Sequence, residues 1–145
     1  MASLKPPARL AVDANPILSA LLGGQARRVF FESTIREFAV PERVISEVQR
    51  YVPRLAQKLG VEQAFLEYAL NLLPLRVYPA RRYARAVREA RRRIERRDPT
   101  DVDVLALALH LDVPLWSNDR DFEDTGVSRF TTAELLAVLF EGRGQ

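Results

Sequence analysis

Short runs of apolar, β-branched and aromatic residues recur along the chain at separated positions. Each run is three or four residues long, and prolines, glycines or polar residues lie at or near its ends. Such runs are typical of short β-strands. We predict five strands, at Arg9 to Val12, Phe38 to Val40, Leu75 to Tyr78, Val113 to Trp116 and Val127 to Phe130.

The longer segments between these runs show a helical period, with apolar residues recurring every three or four positions. The predicted helices are Pro16 to Leu22, Ala26 to Ile35, Glu42 to Lys58, Val61 to Leu72, Ala80 to Arg97, Thr100 to Leu111 and Ala133 to Phe140. Strands that alternate with helices form parallel βαβ units with right-handed crossovers. The chain is therefore predicted to be an α/β protein, a three-layer α/β/α sandwich with a mainly parallel sheet of about five strands.

The length of the chain suits one compact unit. It has 145 residues, of which 48% are hydrophobic and 28% charged, and no internal repeat or low-complexity linker divides it. We therefore expect residues 1–145 to form a single domain. Because the amino terminus has no apolar signal region and no apolar stretch is long enough to cross a bilayer, we expect a soluble cytoplasmic protein without membrane contact.

The composition excludes several kinds of chemistry. Cysteine is absent and His110 is the only histidine. A thiolate nucleophile, a cysteine-ligated metal, a disulfide framework and a histidine pair are therefore ruled out. His110 lies near the end of a predicted helix, where an imidazole suits the free carbonyls, and we assign it no catalytic role. Hydrolytic chemistry would have to rest on carboxylates, on hydroxyls, or on a metal held by carboxylates.

The net charge of +3 conceals a strong local asymmetry. Residues 81–97 contain nine arginines against two glutamates. Four of these arginines are predicted to contact phosphate groups: Arg81, Arg85, Arg88 and Arg92. Arg85, Arg88 and Arg92 share one face of the predicted helix. A solvated helix face, or a face that binds an acidic protein partner or a second copy, would give the same pattern, and these alternatives stay open.

Acidic residues collect where parallel strands end. Ligand sites in such sheets lie beyond the carboxyl ends of the strands, near the point where the strand order reverses. Acids directly follow the first and fourth strands. One acid lies within the helix after the second strand, and three lie around the start of the helix before the fourth strand. They are Asp13, Glu47, Asp98, Asp101, Asp103, Asp119 and Asp121.

The three acids before the fourth strand have competing explanations. Asp98 followed by proline suits a helix N-cap, with Asp101 as the third residue of a capping box. Alternatively Thr100 is the cap and Asp103 the third residue. Since residues two apart do not share a helix face, at most one of Asp101 and Asp103 can point into a common site.

A charged side chain at the end of a buried strand is costly unless it is paired or bound to a metal, and this singles out Asp13. Glu47 alone would be an ordinary surface residue. Repulsion among several converging carboxylates is naturally offset by a divalent cation, and hard oxygen ligands favour Mg²⁺ or Mn²⁺. Such a site suits hydrolysis of a phosphodiester.

Four segments carry a resemblance to a known family. They are VDANPILSALL at 12–22, PERVISEVQRY at 41–51, DPTDVDVLALALHLDVPLWSNDRDF at 98–122 and VSRFTTAELL at 127–136. Together they resemble the PIN-domain ribonucleases, the family that includes the VapC toxins of prokaryotic toxin–antitoxin pairs. Residues 52–97 carry none of the family's motifs.

The resemblance implies roles for individual residues. It implies catalytic roles for Asp13, Glu47, Asp101 and Asp119, with Asp13, Asp101 and Asp119 as metal ligands. Spacing from Asp119 selects Asp101 over its neighbours as the family's helix-start acid. The residues with auxiliary roles would be Asn15, Ser117, Asp121, Asp103 and Asp98.

The resemblance also implies a function and partners. It implies an Mg²⁺- or Mn²⁺-dependent endoribonuclease acting on single-stranded RNA, a toxin inhibited by a small antitoxin protein, and a homodimer. The alternative is a PIN-like module that binds nucleic acid or protein without cutting. A phosphoaspartate domain is excluded, because neither Lys5 nor Lys58 follows a late strand. Trp116 is expected in the core, with base stacking as the alternative.

Overall fold

The computed structural model describes residues 5–94 and 99–141. The strands are β1 (Arg9–Val12), β2 (Glu37–Pro41), β3 (Leu75–Tyr78), β4 (Leu115–Trp116) and β5 (Arg129–Phe130). The helices are α1 (Ala14–Leu21), α2 (Ala26–Glu32), α3 (Glu42–Leu59), α4 (Gln63–Leu72), α5 (Ala80–Ile94), α6 (Pro99–Leu111) and α7 (Thr132–Leu136). A 3₁₀ turn covers Arg120–Phe122, and a π-helical turn, Ala137–Glu141, follows α7.

The five strands form one parallel sheet in the order β3-β2-β1-β4-β5. The chain adds β2 and β3 on one side of β1, then crosses back to add β4 and β5 on the other side. With right-handed crossovers, this reversal puts α1 to α4 on one face of the sheet and α5 and α6 on the other. The predicted three-layer α/β/α sandwich is confirmed.

The reversal of strand order falls between β1 and β4, which lie side by side at the centre of the sheet. The backbone N–H of Asp13, just past β1, still donates to the carbonyl of Trp116 at 3.1 Å. The two strands therefore end together, and the crevice beyond their carboxyl ends is where a parallel sheet offers a ligand site.

The ends of several elements differ from the predicted ones for local reasons. Helix α1 begins two residues earlier than predicted, because the Asp13 side chain caps it by accepting from the N–H of Ala14 at 2.8 Å. Helix α2 ends three residues early, where Ser33 takes up an extended backbone. The predicted end of the fifth helix, Arg97, lies outside the described residues.

The core is built around the central strands. Trp116 of β4 is fully buried, with its ring 4.8 Å from that of Phe30 and 6.0 Å from that of Phe38. Its indole N–H donates to Thr132 Oγ1 at 3.0 Å. Trp116 is therefore a core residue, and base stacking by this side chain is excluded. In the part of the chain that is described, no helix is both long and apolar enough to span a membrane.

The buried acid Asp103 links three helices. The carboxylate of Asp103 on α6 accepts from the Tyr83 hydroxyl at 2.7 Å and from Arg43 Nε at 3.1 Å. Tyr83 lies at a kink in α5, where its backbone leaves the helical region (φ −117°, ψ 16°). Burial and then the hydrogen bond to Asp103 raise the pKa of the Tyr83 hydroxyl. The cluster joins α3, α5 and α6 at one point.

We expect Tyr83→Phe to lower the free energy of unfolding at neutral pH by about 1–3 kcal/mol, because it removes a donor from a buried carboxylate. The pKa of this hydroxyl is higher in the folded than in the unfolded chain, so its contribution is complete below about pH 10 and declines as the pH rises further. Urea unfolding at pH 7 and above pH 10 measures both effects. Tyr68→Phe, at an exposed tyrosine of α4, is the matched control. Equal stability of the two variants would contradict this assignment.

Candidate active site

Asp13 is a buried carboxylate held between a strand and a helix. It follows β1 directly and is only 6% exposed. One carboxylate oxygen accepts from the N–H of Ala14 at the start of α1, where the helix dipole favours negative charge. Its position is thus set by the geometry with which β1 passes into α1.

Ser117 connects Asp13 to the acid that follows β4. Its hydroxyl donates to the second oxygen of Asp13 at 2.7 Å and accepts from the backbone N–H of Asp119 at 3.0 Å. Asp119 Oδ1 in turn accepts from the N–H of Asp121 at 2.8 Å, which caps the 3₁₀ turn. One buried hydroxyl therefore orients acids from both central strands.

A cavity of about 440 Å³ opens beyond the carboxyl ends of β1 and β4. It lies between α1, α3 and the start of α6. Four acids from four separated segments line it: Asp13, Glu47, Asp101 and Asp119. Asn15 and Thr100 also line it. The structure thus brings together the acids to which the sequence assigned catalytic roles.

The remaining predicted residues lie elsewhere. Ser117 is fully buried and reaches the cavity only through Asp13 and Asp119. Asp103 points to Tyr83 and Arg43 instead of the cavity, in keeping with the rule that residues two apart on a helix face different ways. Asp121 is exposed on the 3₁₀ turn and does not line the cavity as described. Asp98 lies outside the described residues.

The donor chemistry of the cavity fits a hard divalent cation, since carboxylates and an amide are the ligands that Mg²⁺ and Mn²⁺ prefer. Across residues 5–94 and 99–141, however, no three acidic or histidine side chains stand close enough to hold an ion as they are placed. Carboxylates such as that of Glu47 would therefore have to turn about their side-chain bonds to converge on a cation.

The cavity has lining residues that the sequence did not single out. Tyr51, Leu55 and Lys58 of α3 line it beyond Glu47, as do Leu18 of α1 and Leu22, which directly follows α1. The spacing of Glu47, Tyr51 and Lys58 on one helix face was the available signal. In the sequence alone Glu47 is a single acid on a surface helix, so nothing else marks that face of α3 as part of a site.

The basic helix lies apart from this cavity. Arg81, Arg85 and Arg88 of α5 are exposed, and α5 contributes no residue to the described cavity lining. Arg92 instead donates to Glu89 at 2.6 Å. Hydrogen bonds from Arg92 and then Arg93 lower the pKa of Glu89 to about 2. Of the four predicted phosphate contacts, Arg92 is therefore already engaged within its own helix.

The family of the chain follows from its sequence as well as its fold. The family model for the PIN domain matches residues 11–139. The chain belongs to the PIN-domain family.

Solved structures resemble the whole fold. One is a chain in the crystal structure of VapBC2 from Rickettsia felis bound to a DNA fragment from their promoter. It is 13% identical, has a TM-score of 0.62, and the match covers 85% of this chain and 98% of that one. Another is a toxin–antitoxin complex from Klebsiella pneumoniae, with 19% identity, a TM-score of 0.55 and coverage of 81% and 90%. Among curated proteins none matches the chain.

We expect Ser117→Ala to lower the free energy of unfolding by about 1–3 kcal/mol, because a buried carboxylate loses its donor and the N–H of Asp119 loses its acceptor. Thermal melting with added EDTA measures this effect without any metal. Ser128→Ala is the matched control, because Ser128 is exposed. If the two variants melt alike, Ser117 does not hold the two acids in place.

Proposed function

We propose that this protein is a divalent-metal-dependent endoribonuclease that hydrolyses phosphodiester bonds of single-stranded RNA. The observation that carries the proposal is the meeting of Asp13, Glu47, Asp101 and Asp119 in one cavity at the reversal of strand order. Membership of the PIN-domain family supports a nuclease, and the acids present are those that such chemistry requires.

Asp13, Asp101 and Asp119 would hold Mg²⁺ or Mn²⁺. When bound, such a cation lowers the pKa of a coordinated water and stabilises charge on the phosphoryl oxygens. The Ser117 hydroxyl keeps the Asp13 carboxylate fixed towards the cavity, which limits the reorganisation needed for catalysis. Asn15, exposed beside Asp13, can orient a water or a phosphate oxygen through its amide.

Glu47 is suited to the proton transfer. Its carboxylate lies on α3 on the cavity wall and is only partly exposed, so it can accept a proton from the attacking water. The oxygen of that water forms a bond to phosphorus while the bond to the leaving ribose oxygen breaks. The leaving oxygen takes up a proton from solvent, because the cavity is open to water.

The arginines of α5 supply a second contact to RNA in this proposal. Arg85 and Arg88 follow the kink at Tyr83 and share one helix face, while Arg81 lies before the kink, in the first turn of α5. Guanidinium groups in a row can follow a phosphate backbone, and they add affinity that does not depend on base sequence.

The structural neighbours favour a toxin that works with a partner. The Rickettsia felis structure is described as VapBC2, and the Klebsiella pneumoniae structure as a toxin–antitoxin complex. We extend the proposal accordingly to a toxin that is inhibited by a small antitoxin protein and that forms a homodimer. Co-expression with a neighbouring small open reading frame, followed by mass measurement of the complex, tests both parts.

We expect Asp13→Asn to lower metal-dependent RNA cleavage by about 100-fold or more, the scale on which loss of one transition-state contact acts. The melting temperature should change little, because asparagine caps a helix about as well as aspartate. Cleavage of a fluorescent RNA with Mg²⁺, Mn²⁺ or EDTA gives the first quantity and a thermal melt gives the second.

Asp112→Asn is the control for this measurement. Asp112 has a backbone φ of 56°, which asparagine tolerates well, and it lines a groove at the opposite edge of the sheet. This variant should cleave like the unaltered protein. RNA binding without metal-dependent cleavage by the unaltered protein would instead favour the non-catalytic PIN-like module.

Replacing Arg81, Arg85 and Arg88 together with glutamine should flatten the salt dependence of RNA binding. Each lost phosphate contact lowers the slope of log affinity against log salt by about 0.7. Fluorescence anisotropy with single-stranded RNA at several salt concentrations measures the slope, and Asp13→Asn should keep it. An unchanged slope in the triple variant would remove α5 from RNA binding and favour a protein-binding face.

A further inference from the structure

The candidate cavity is longer than its acidic end. Glu47, Tyr51, Leu55 and Lys58 follow one another along α3 at steps of four, four and three residues, and all line the cavity. At 1.5 Å per residue, Lys58 lies about 16 Å along the helix axis from Glu47. The segment from Tyr51 to Lys58, which we term the α3 wall, therefore extends well beyond the carboxylates.

The α3 wall and α1 together form an apolar slot. Leu18 of α1 and Leu22, just past its end, line the same cavity. Tyr51 is 46% exposed and Leu22 is 51% exposed, so both present apolar surface to water. The Arg54 guanidinium lies 5.4 Å from the centre of the Tyr51 ring, and this cation–π contact steadies the ring. An exposed, steadied aromatic ring is a platform for stacking.

A positive charge closes the far end of this slot. Lys58 is exposed in the last turn of α3, and within residues 5–94 and 99–141 no ion pair involves it. An ammonium group is a compact charge with three donors, which suits a phosphate oxygen. The cavity therefore changes along α3 from carboxylates, through an aromatic and aliphatic surface, to a cation.

We propose that the α3 wall is a nucleotide subsite, in which Tyr51 stacks on a base next to the scissile phosphate and Lys58 binds a phosphate further along the strand. This inference rests on the proposed ribonuclease function and adds to it the residues that hold the RNA beside the cut. Trp116, the other candidate for stacking, is fully buried. Tyr51 is the aromatic residue in the described lining of this cavity.

The order of the groups favours RNA over a protein segment as the occupant. An aromatic ring followed by a cation matches the alternation of base and phosphate along a single RNA strand. The ring and the cation line the same cavity as the acids that would cleave that strand. A helix from a partner protein would instead need a slot that stays apolar along its length, whereas this slot begins at carboxylates and ends at the charge of Lys58.

The test measures RNA affinity separately from cleavage. In the Asp13→Asn background, anisotropy of a fluorescent single-stranded RNA decamer reports binding. Tyr51→Leu should weaken binding about 10-fold, while Tyr51→Phe should bind like the parent, because phenylalanine also stacks. Tyr68→Leu, at an exposed tyrosine of α4 that does not line the cavity, is the matched control.

Lys58→Gln should lower the slope of log affinity against log salt by about 0.7, as expected for one phosphate contact. Lys5→Gln is its control, because Lys5 is the only other lysine and lines the groove at the opposite edge of the sheet. A decamer with one abasic position at a time should show where Tyr51 acts. At the position that stacks on Tyr51, removal of the base should weaken binding by the parent protein but not by the Tyr51→Leu variant.

Three results would overturn the subsite: unchanged RNA affinity in Tyr51→Leu, equal losses in Tyr51→Leu and Tyr68→Leu, or loss of protein-partner binding alone in Tyr51→Leu. Cleavage separates this inference from the proposed function. If the unaltered protein cleaves RNA and Tyr51→Leu has the same KM, the subsite fails and the ribonuclease stands. If Tyr51 governs RNA binding but no metal supports cleavage, the ribonuclease fails and the subsite stands.

Discussion

The hydrogen bond from Ser117 to Asp13 joins the ends of β1 and β4, the parallel strands between which the strand order reverses. It is buried, and it spans 104 residues of sequence. The Asp13 carboxylate that accepts this bond also caps α1, and the Ser117 hydroxyl oxygen accepts from the backbone N–H of Asp119. The shape of the acidic end of the cavity therefore depends on two side chains that meet only when β1 and β4 pair.

Among the described residues, the two buried acids, Asp13 and Asp103, are stabilised in different ways. Asp103 has a tyrosine hydroxyl and a guanidinium as partners, which neutralise its charge and tie three helices together. Asp13 is held by a backbone N–H and a serine hydroxyl and lines a cavity with three further carboxylates. The first arrangement serves packing. The second places a carboxylate on the wall of the cavity, where the proposed function needs it.

Local pattern was enough to predict the strands and the acids that follow them. The positions of Asp13 and Asp119 after buried strands fix where those side chains lie, because parallel strands end at one edge. Helix geometry allows at most one of Asp101 and Asp103 in the site, and the family resemblance selects Asp101. The packing of α6 then places Asp101 at the cavity and Asp103 against Tyr83.

The α3 wall could not be predicted in the same way. Which face of α3 meets α1 depends on contacts between residues distant in sequence, so Tyr51 and Lys58 looked like ordinary surface positions. The start of α1 was also missed, because Asp13 was considered as a ligand and not as a helix cap. Asp13 both ends a strand and caps the helix that follows, and neither the strand pattern nor the helix pattern alone shows both roles.

Trp116 gives the protein an internal optical reporter. It is the only tryptophan in the chain, its ring packs in a cluster with those of Phe30 and Phe38, and Ser117 follows it directly. Its fluorescence emission therefore arises from one place, the carboxyl end of β4, one residue from the hydroxyl that orients the acids. Changes in the packing of that strand end become visible in the unlabelled chain, without a dye that could itself occupy the cavity.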